Sequence, residues 1–239
     1  MSGGRAGTRE REWWVPAFGP RKFRLFLGLS FYPYSLMNAS YVAVGSLLAT
    51  TVHYDRMLGM AVVYLLAVGV SAHSLDAMAP NKPWGDFLSR SQLSALAVGA
   101  LLPALAVGLY YAISDAPLLI PLGLAELFFL LAYNLELFDG RFHTDLWFAV
   151  SWGFLPVLAG YIVQTDALSF ASLAGGAFGF STAFIEISAS RPYKALRREG
   201  STSELASKLE TILKWIVATV IVTAALLLAM SLQARGPAV

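Results

Sequence analysis

Cysteine is absent from all 239 residues. That absence excludes disulfides, thiolate metal sites and cysteine nucleophiles, and it removes the usual clue to redox compartment. Charge is scarce too: Asp, Glu, Lys and Arg make up only 13% of the chain, about half the share of an ordinary globular domain. The first 22 residues hold no apolar run, so a cleaved secretory signal is not expected. No nucleic-acid partner is expected either.

Apolar surface takes the place of charge. Hydrophobic residues make up 57% of the chain, and they collect into stretches at about 28–51, 57–75, 92–113, 117–136, 145–164, 167–188 and 211–232. Each approaches the roughly 20 residues that a helix needs to cross a hydrocarbon core. The spacing therefore predicts an all-α, multi-pass membrane protein of about seven transmembrane helices. Its expected parts are a basic interfacial arm over 1–27, a bundle over 28–233 and a short tail over 234–239.

The cations sort by side. Arg5, Arg9, Arg11, Arg21, Lys22 and Arg24 precede the first stretch; Lys82, Arg90 and Arg141 lie in the second and fourth connections; Arg191, Lys194, Arg197, Arg198, Lys208 and Lys214 flank the sixth. Those fifteen of seventeen fall on one face of a seven-span layout, leaving Arg56 and Arg235 for the other. The positive-inside rule then puts the N-terminus in the cytoplasm and the C-terminus outside, with the plasma membrane as the expected location. Trp13, Trp14, Phe18 and Phe23 stand among the basic residues of the arm. They suit either a segment lying in the headgroup layer or a tail without order. Ser201 and Glu204 have capping-box spacing, and Glu204/Lys208 and Glu210/Lys214 are i,i+4 pairs, so the last helix should begin near Thr202, before the membrane.

Polar residues inside apolar stretches carry the most information, because an ionised side chain at the bilayer centre costs about 2.5–3.5 kcal/mol on insertion scales. Glu126 is the deepest and shares a helical face with Tyr133 and Asn134. It serves either as a hydrogen-bonded structural group or as a ligand contact. Asn38 reads as a helix–helix hydrogen bond, and Gly175-Gly176 with Gly179 reads as close helix packing. Gly153 and Gly160 are further small positions, where a bulky residue is expected to block a cavity.

Three connections on the basic side concentrate functional groups. His73 and Asp76 close the second stretch ahead of Asn81, Lys82 and Asp86; Tyr133, Asn134 and Glu136 close the fourth ahead of Arg141 and His143; Glu186, Arg191 and Lys194 close the sixth. Carboxylates can hold Mg²⁺ and cations can hold phosphate oxygens, so the set suits a lipid diphosphate head with its tail among the helices. Snorkelling cations on a cytoplasmic face would give the same distribution without a ligand.

From Asn38 to Arg198 the chain resembles a short, divergent member of the UbiA superfamily of intramembrane prenyltransferases. The likeness rests on Ala72-His73-Ser74-Leu75-Asp76 with Asn81-Lys82-Pro83 where that family has its first Asp-rich motif, on Tyr133 where it has a Y-x-x-x-K motif, and on Glu186 and Arg191 where it has a second Asp-rich motif. Of the first motif only Asp76 matches an acidic position, Leu137 replaces the motif lysine, and no Asp follows Asp166. The family's members usually have nine helices. The resemblance implies transfer of a prenyl group from a polyprenyl diphosphate to an aromatic or lipid acceptor. Asp76 and Glu186 would be the catalytic acids, holding Mg²⁺ together with Asp86. His73, Asn81, Lys82, Arg141, Arg191 and Lys194 would bind the head, and Glu126, Tyr133 and Asn134 would line the tail cavity. The missing acids equally suit a non-catalytic isoprenoid- or quinone-binding protein, alone or within a larger complex. A retinal protein is disfavoured, since Lys214 lies at the entrance of the last stretch and the third holds no acid. A transporter would be expected to show paired broken helices, and no repeat is evident.

Overall fold

A computed structural model describes residues 12–78 and 87–234. Among them the structure is helical with no strand. A short helix, α1 (Arg21–Leu29), leads into α2 (Tyr32–Leu47). There follow α3 (Tyr54–Asp76), α4 (Arg90–Ser114), α5 (Leu119–Asn134), α6 (Asp145–Thr165), α7 (Phe170–Arg198) and α8 (Glu204–Ala234). Five of these, α3, α4, α6, α7 and α8, are long and apolar enough to cross a membrane.

The other two long elements differ for distinct reasons. Helix α5 is apolar but has 16 residues, giving about 24 Å at 1.5 Å per residue. Helix α2 also has 16 residues, and it carries Tyr, Ser and Asn side chains that lower its hydropathy. It can carry them because it is the central helix, packed by α3, α6 and α8 with most of its length buried. A helix walled in by other helices needs partners more than it needs an apolar face.

Small residues let these backbones meet. A Cβ built at Gly160 would collide with the Val42 carbonyl oxygen, and one at Gly45 would collide with that of Val157, so α2 and α6 touch backbone to backbone. Gly153 and Gly179 make the same close approach between α6 and α7. The expectation that Gly153 and Gly160 border a cavity is thus corrected. Both face a neighbouring backbone, and neither lines a cavity wall.

Opposite ends of the bundle are fastened differently. At the end away from the arm, Arg56 pairs with Asp115 at 2.6 Å, Asp166 accepts from the Leu118 amide at 2.9 Å, and Tyr54 and Ser231 share a 2.9 Å hydrogen bond. Consecutive helices therefore run up and down. At the arm end, Trp14 is fully buried, with its Nε1 donating to the Gly28 carbonyl at 3.1 Å. Trp13 Nε1 donates to the Tyr34 hydroxyl at 3.1 Å, and its amide donates to the Tyr193 hydroxyl at 3.2 Å. The described part of the arm is therefore ordered, held against the bundle by these contacts. Its two tryptophans plug the bundle, while Phe18 stays exposed.

The start of α8 lies two residues later than expected. Ser203, not Ser201, accepts the capping bond, from the Ala206 amide at 3.3 Å. Capping boxes do form at Ser89/Gln92 on α4 and Ser169/Ser172 on α7. The anticipated pairs Glu204–Lys208 and Glu210–Lys214 close at 2.6 and 2.7 Å. Glu210 also receives Arg197 and Tyr193, which ties α8 to the end of α7.

Candidate functional site

Two π-helical turns shape the interior. One occupies Ala67–Ala72 in α3 and the other Val150–Phe154 in α6. A π turn widens the helix and frees a carbonyl, and such turns recur at functional sites. Here the Asn38 amide donates to the Trp152 carbonyl at 2.7 Å from a fully buried position on α2. The helix–helix bond expected of Asn38 is therefore present, and its partner is backbone within the α6 π turn.

Between α3, α4, α5 and α6 lies an apolar chamber of about 280 Å³. Leu and Ala side chains dominate its wall, joined by Tyr64, Phe129 and Trp152. Glu126 is its one ionisable acid among the described residues, and the Tyr64 hydroxyl donates to Glu126 Oε1 at 2.7 Å. Tyr133 and Asn134 sit on the same face of α5, about two turns closer to the arm end, and line the same chamber.

A second, polar cavity of about 430 Å³ opens at the arm end. Its wall joins His73 and Asp76 from α3, Tyr133 and Asn134 from α5, and Glu186, Arg191 and Lys194 from α7. Glu136, His143 and Arg198 complete a lining that mixes acids, cations and imidazoles. Tyr133, Asn134, Phe148 and Trp152 belong to both walls, so the polar cavity and the apolar chamber are neighbours that share these side chains.

Local structure explains how the polar groups are aimed. Loop residues Glu136, Phe138, Asp139 and Gly140 all have left-handed backbone, with φ between 52° and 72°. That tight fold turns His143 back onto α5, where its ring stacks on Tyr133 at 4.3 Å and Nδ1 lies 2.9 Å from the Tyr133 carbonyl oxygen. Arg191 is fixed by Asp145 at 2.9 Å and by the His143 carbonyl at 3.1 Å. Phe31, the bulky residue between α1 and α2, is also left-handed at φ 45°, a conformation that costs roughly 1–2 kcal/mol. Its ring stacks on His73 at 4.4 Å and on Trp14 at 4.8 Å, and Lys194 Nζ lies 5.1 Å above it. Strain of this kind survives only where surrounding contacts over-determine it. Here they form the rim of the polar cavity.

Glu186 is 3% exposed, and its Oε2 has no hydrogen-bond partner among the described residues. Leaving a buried acceptor unsatisfied costs about 1–3 kcal/mol, so a ligand donor or a cation there would recover it. Among the described residues no group of three or more His, Asp or Glu stands close enough to hold a metal ion. Mg²⁺ commonly uses only one or two carboxylates, with substrate phosphates and waters completing its shell. Asp76 and Glu186 on one cavity wall fit that mode, though not a metal site made by protein alone.

Asp76, Glu186, His73, Tyr133, Asn134, Arg191 and Lys194 thus gather on one wall, and Glu126 lies deeper. Arg141 is exposed on the α5–α6 loop, outside both walls. Asn81, Lys82 and Asp86 lie outside the described residues. Sequence reasoning missed Phe31, Tyr34 and Tyr64. The run Phe31-Tyr32-Pro33-Tyr34 carried a usable signal, since a proline in the first turn marks a helix start and so puts the break within a residue or two before it. Tyr64 carried none that distinguished it from the other tyrosines within the spans.

Comparison with family models, curated proteins and solved structures finds no match to this chain.

Proposed function

We propose that this protein is a UbiA-like intramembrane prenyltransferase, taking a polyprenyl diphosphate and passing its prenyl group to an aromatic or lipid acceptor. The supporting observation is the adjacency of two unlike cavities: a polar one with Arg191, Lys194 and Arg198 on its wall, and an apolar one of tail-binding character that shares Tyr133 and Trp152 with it. Such a shape suits an amphiphile with an anionic head. Arg191 and Lys194 bind phosphate oxygens, Asp76 and Glu186 face any Mg²⁺ carried by the head, and the aromatic walls keep water from the prenyl carbon. Bound Mg²⁺ would supply charge neutralisation of the departing diphosphate.

The same proposal includes seven crossings, with α2 and α5 as the short ones, and an N-terminus in the cytoplasm of a plasma-membrane protein. The fifteen-to-two division of cations supports that orientation. A second reading, a protein that holds an isoprenoid or quinone without transferring it, alone or in a complex, is favoured by the lack of a three-carboxylate cluster among the described residues.

One experiment separates the two. Purified protein is incubated with farnesyl and geranylgeranyl diphosphates, Mg²⁺ and a panel of phenolic and lipid acceptors. Prenyl transfer that Asp76→Asn abolishes, with tail binding retained, is the expected result. Mg²⁺-independent binding with no turnover across the panel would overturn the enzyme and leave the binding protein.

A further inference from the structure

A lipid tail needs nothing but apolar walls, yet the chamber around it holds a carboxyl group. Glu126 is the eighth of the 16 residues of α5, at mid-helix. Eight residues separate it from Asn134 at the polar cavity, about 12 Å along a helix axis. Burying a carboxyl group at that depth is expensive, and intramembrane acids as a rule have a named partner or a ligand.

Glu126 has a partner for only one oxygen. The Tyr64 hydroxyl donates to Oε1 at 2.7 Å, and Tyr64 itself is 5% exposed and fixed within the core. No hydrogen bond or ion pair forms at Oε2 among the described residues. Among the described residues the wall of the chamber holds no Lys, Arg or His. Of its other polar side chains, Ser151 Oγ donates to the Trp147 carbonyl at 2.8 Å and Asn134 Nδ2 donates to the Leu130 carbonyl at 2.8 Å, whereas Trp152 Nε1 has no hydrogen-bond partner among the described residues. Tyr64 therefore orients the carboxyl group and leaves Oε2 as the one unsatisfied polar atom of this acid in an apolar space.

We infer that Glu126 and Tyr64 form a hydroxyl-recognition subsite, so that the chamber selects lipids carrying an alcohol or phenol group over plain hydrocarbon. A hydroxyl both donates and accepts, and so pairs with Oε2 whether the acid carries its proton or not. A ketone pairs only with the acid form and an ammonium only with the carboxylate. An ammonium also brings three donors, which this wall does not satisfy. The subsite does not depend on the diphosphate reading, because the cations that would bind the head lie in the other cavity.

The test uses two matched probes, 1-dodecanol and dodecane, with the full chain in lipid nanodiscs. Retained probe is quantified by gas chromatography and corrected for empty nanodiscs. Wild type should bind the alcohol roughly tenfold more tightly, the yield of one good hydrogen bond to an acidic group. The double variant Tyr64→Phe/Glu126→Leu removes both members of the pair at little cost in stability, since no buried polar group is stranded. It should bind the two probes alike. Equal binding of the probes by wild type, or a preference that persists in the double variant, would overturn the subsite. Neither result bears on diphosphate binding, which Arg191 and Lys194 variants report separately.

Discussion

A side chain at Gly160 would drive its first carbon into the Val42 carbonyl, whereas one at Gly123 meets nothing within 4 Å. The two glycines look alike in the sequence and should behave oppositely. Gly160→Leu is expected to break the α2–α6 contact and abolish a monodisperse folded protein, because the clash is with backbone that cannot rotate away. Gly123→Leu should leave thermal stability at or above that of wild type, because the new side chain enters the chamber without meeting any atom and removes a helical glycine. Asn38→Leu is a milder case: losing its bond to the Trp152 carbonyl should cost about 0.6–1.7 kcal/mol, the range for interhelical hydrogen bonds in membranes. Thermal unfolding in detergent, scored for all three, checks the order. At this scale the sequence disclosed the acids and cations of the polar cavity, because each stands near or beyond the basic-side end of an apolar stretch. It could not disclose Phe31 or Tyr64, whose roles depend on which neighbours the packing brings to them.

Helix α2 was legible as an apolar stretch but not as the centre of the bundle. Its length also came out shorter than the sequence suggests, since the break at Phe31 removes the first residues of the stretch. The π turns at Ala67–Ala72 and Val150–Phe154 left no mark in the residue pattern, for each adds one residue to a turn without altering its apolar character. The arm shows the same limit. Basic and aromatic residues together fit a headgroup helix, and only packing shows that Trp14 belongs to the core with Leu25, Leu29 and Tyr34. Trp14→Ala should therefore cost about 3–5 kcal/mol, as loss of a fully buried aromatic does. It should also raise hydrogen exchange across Arg21–Leu29, which relies on that indole for its anchorage to the bundle. Unchanged exchange there would mean that the arm is held by something other than its tryptophans.

Across the whole molecule, the alternation of helices follows from the apolar spacing, and the fastening of each end follows from which loops are long. The proposed orientation can be tested because no native cysteine interferes. Single cysteines at Thr51 and Ala167, both exposed at the end away from the arm, should react with an impermeant maleimide added outside intact cells. A cysteine at Glu199 should react only after the membrane is opened. The reverse pattern would invert the topology and move the polar cavity to the outer face.

The central claim is that the adjoining cavities hold an isoprenoid with an anionic head, and lipid extraction followed by mass spectrometry addresses it most directly. Protein purified from membranes should carry a polyprenyl phosphate or diphosphate in excess of the bulk lipid background. The double variant Arg191→Ala/Lys194→Ala, folded by the same thermal criterion, should lose it. Extracts containing only bulk phospholipid, or an isoprenoid retained undiminished by that variant, would contradict the account.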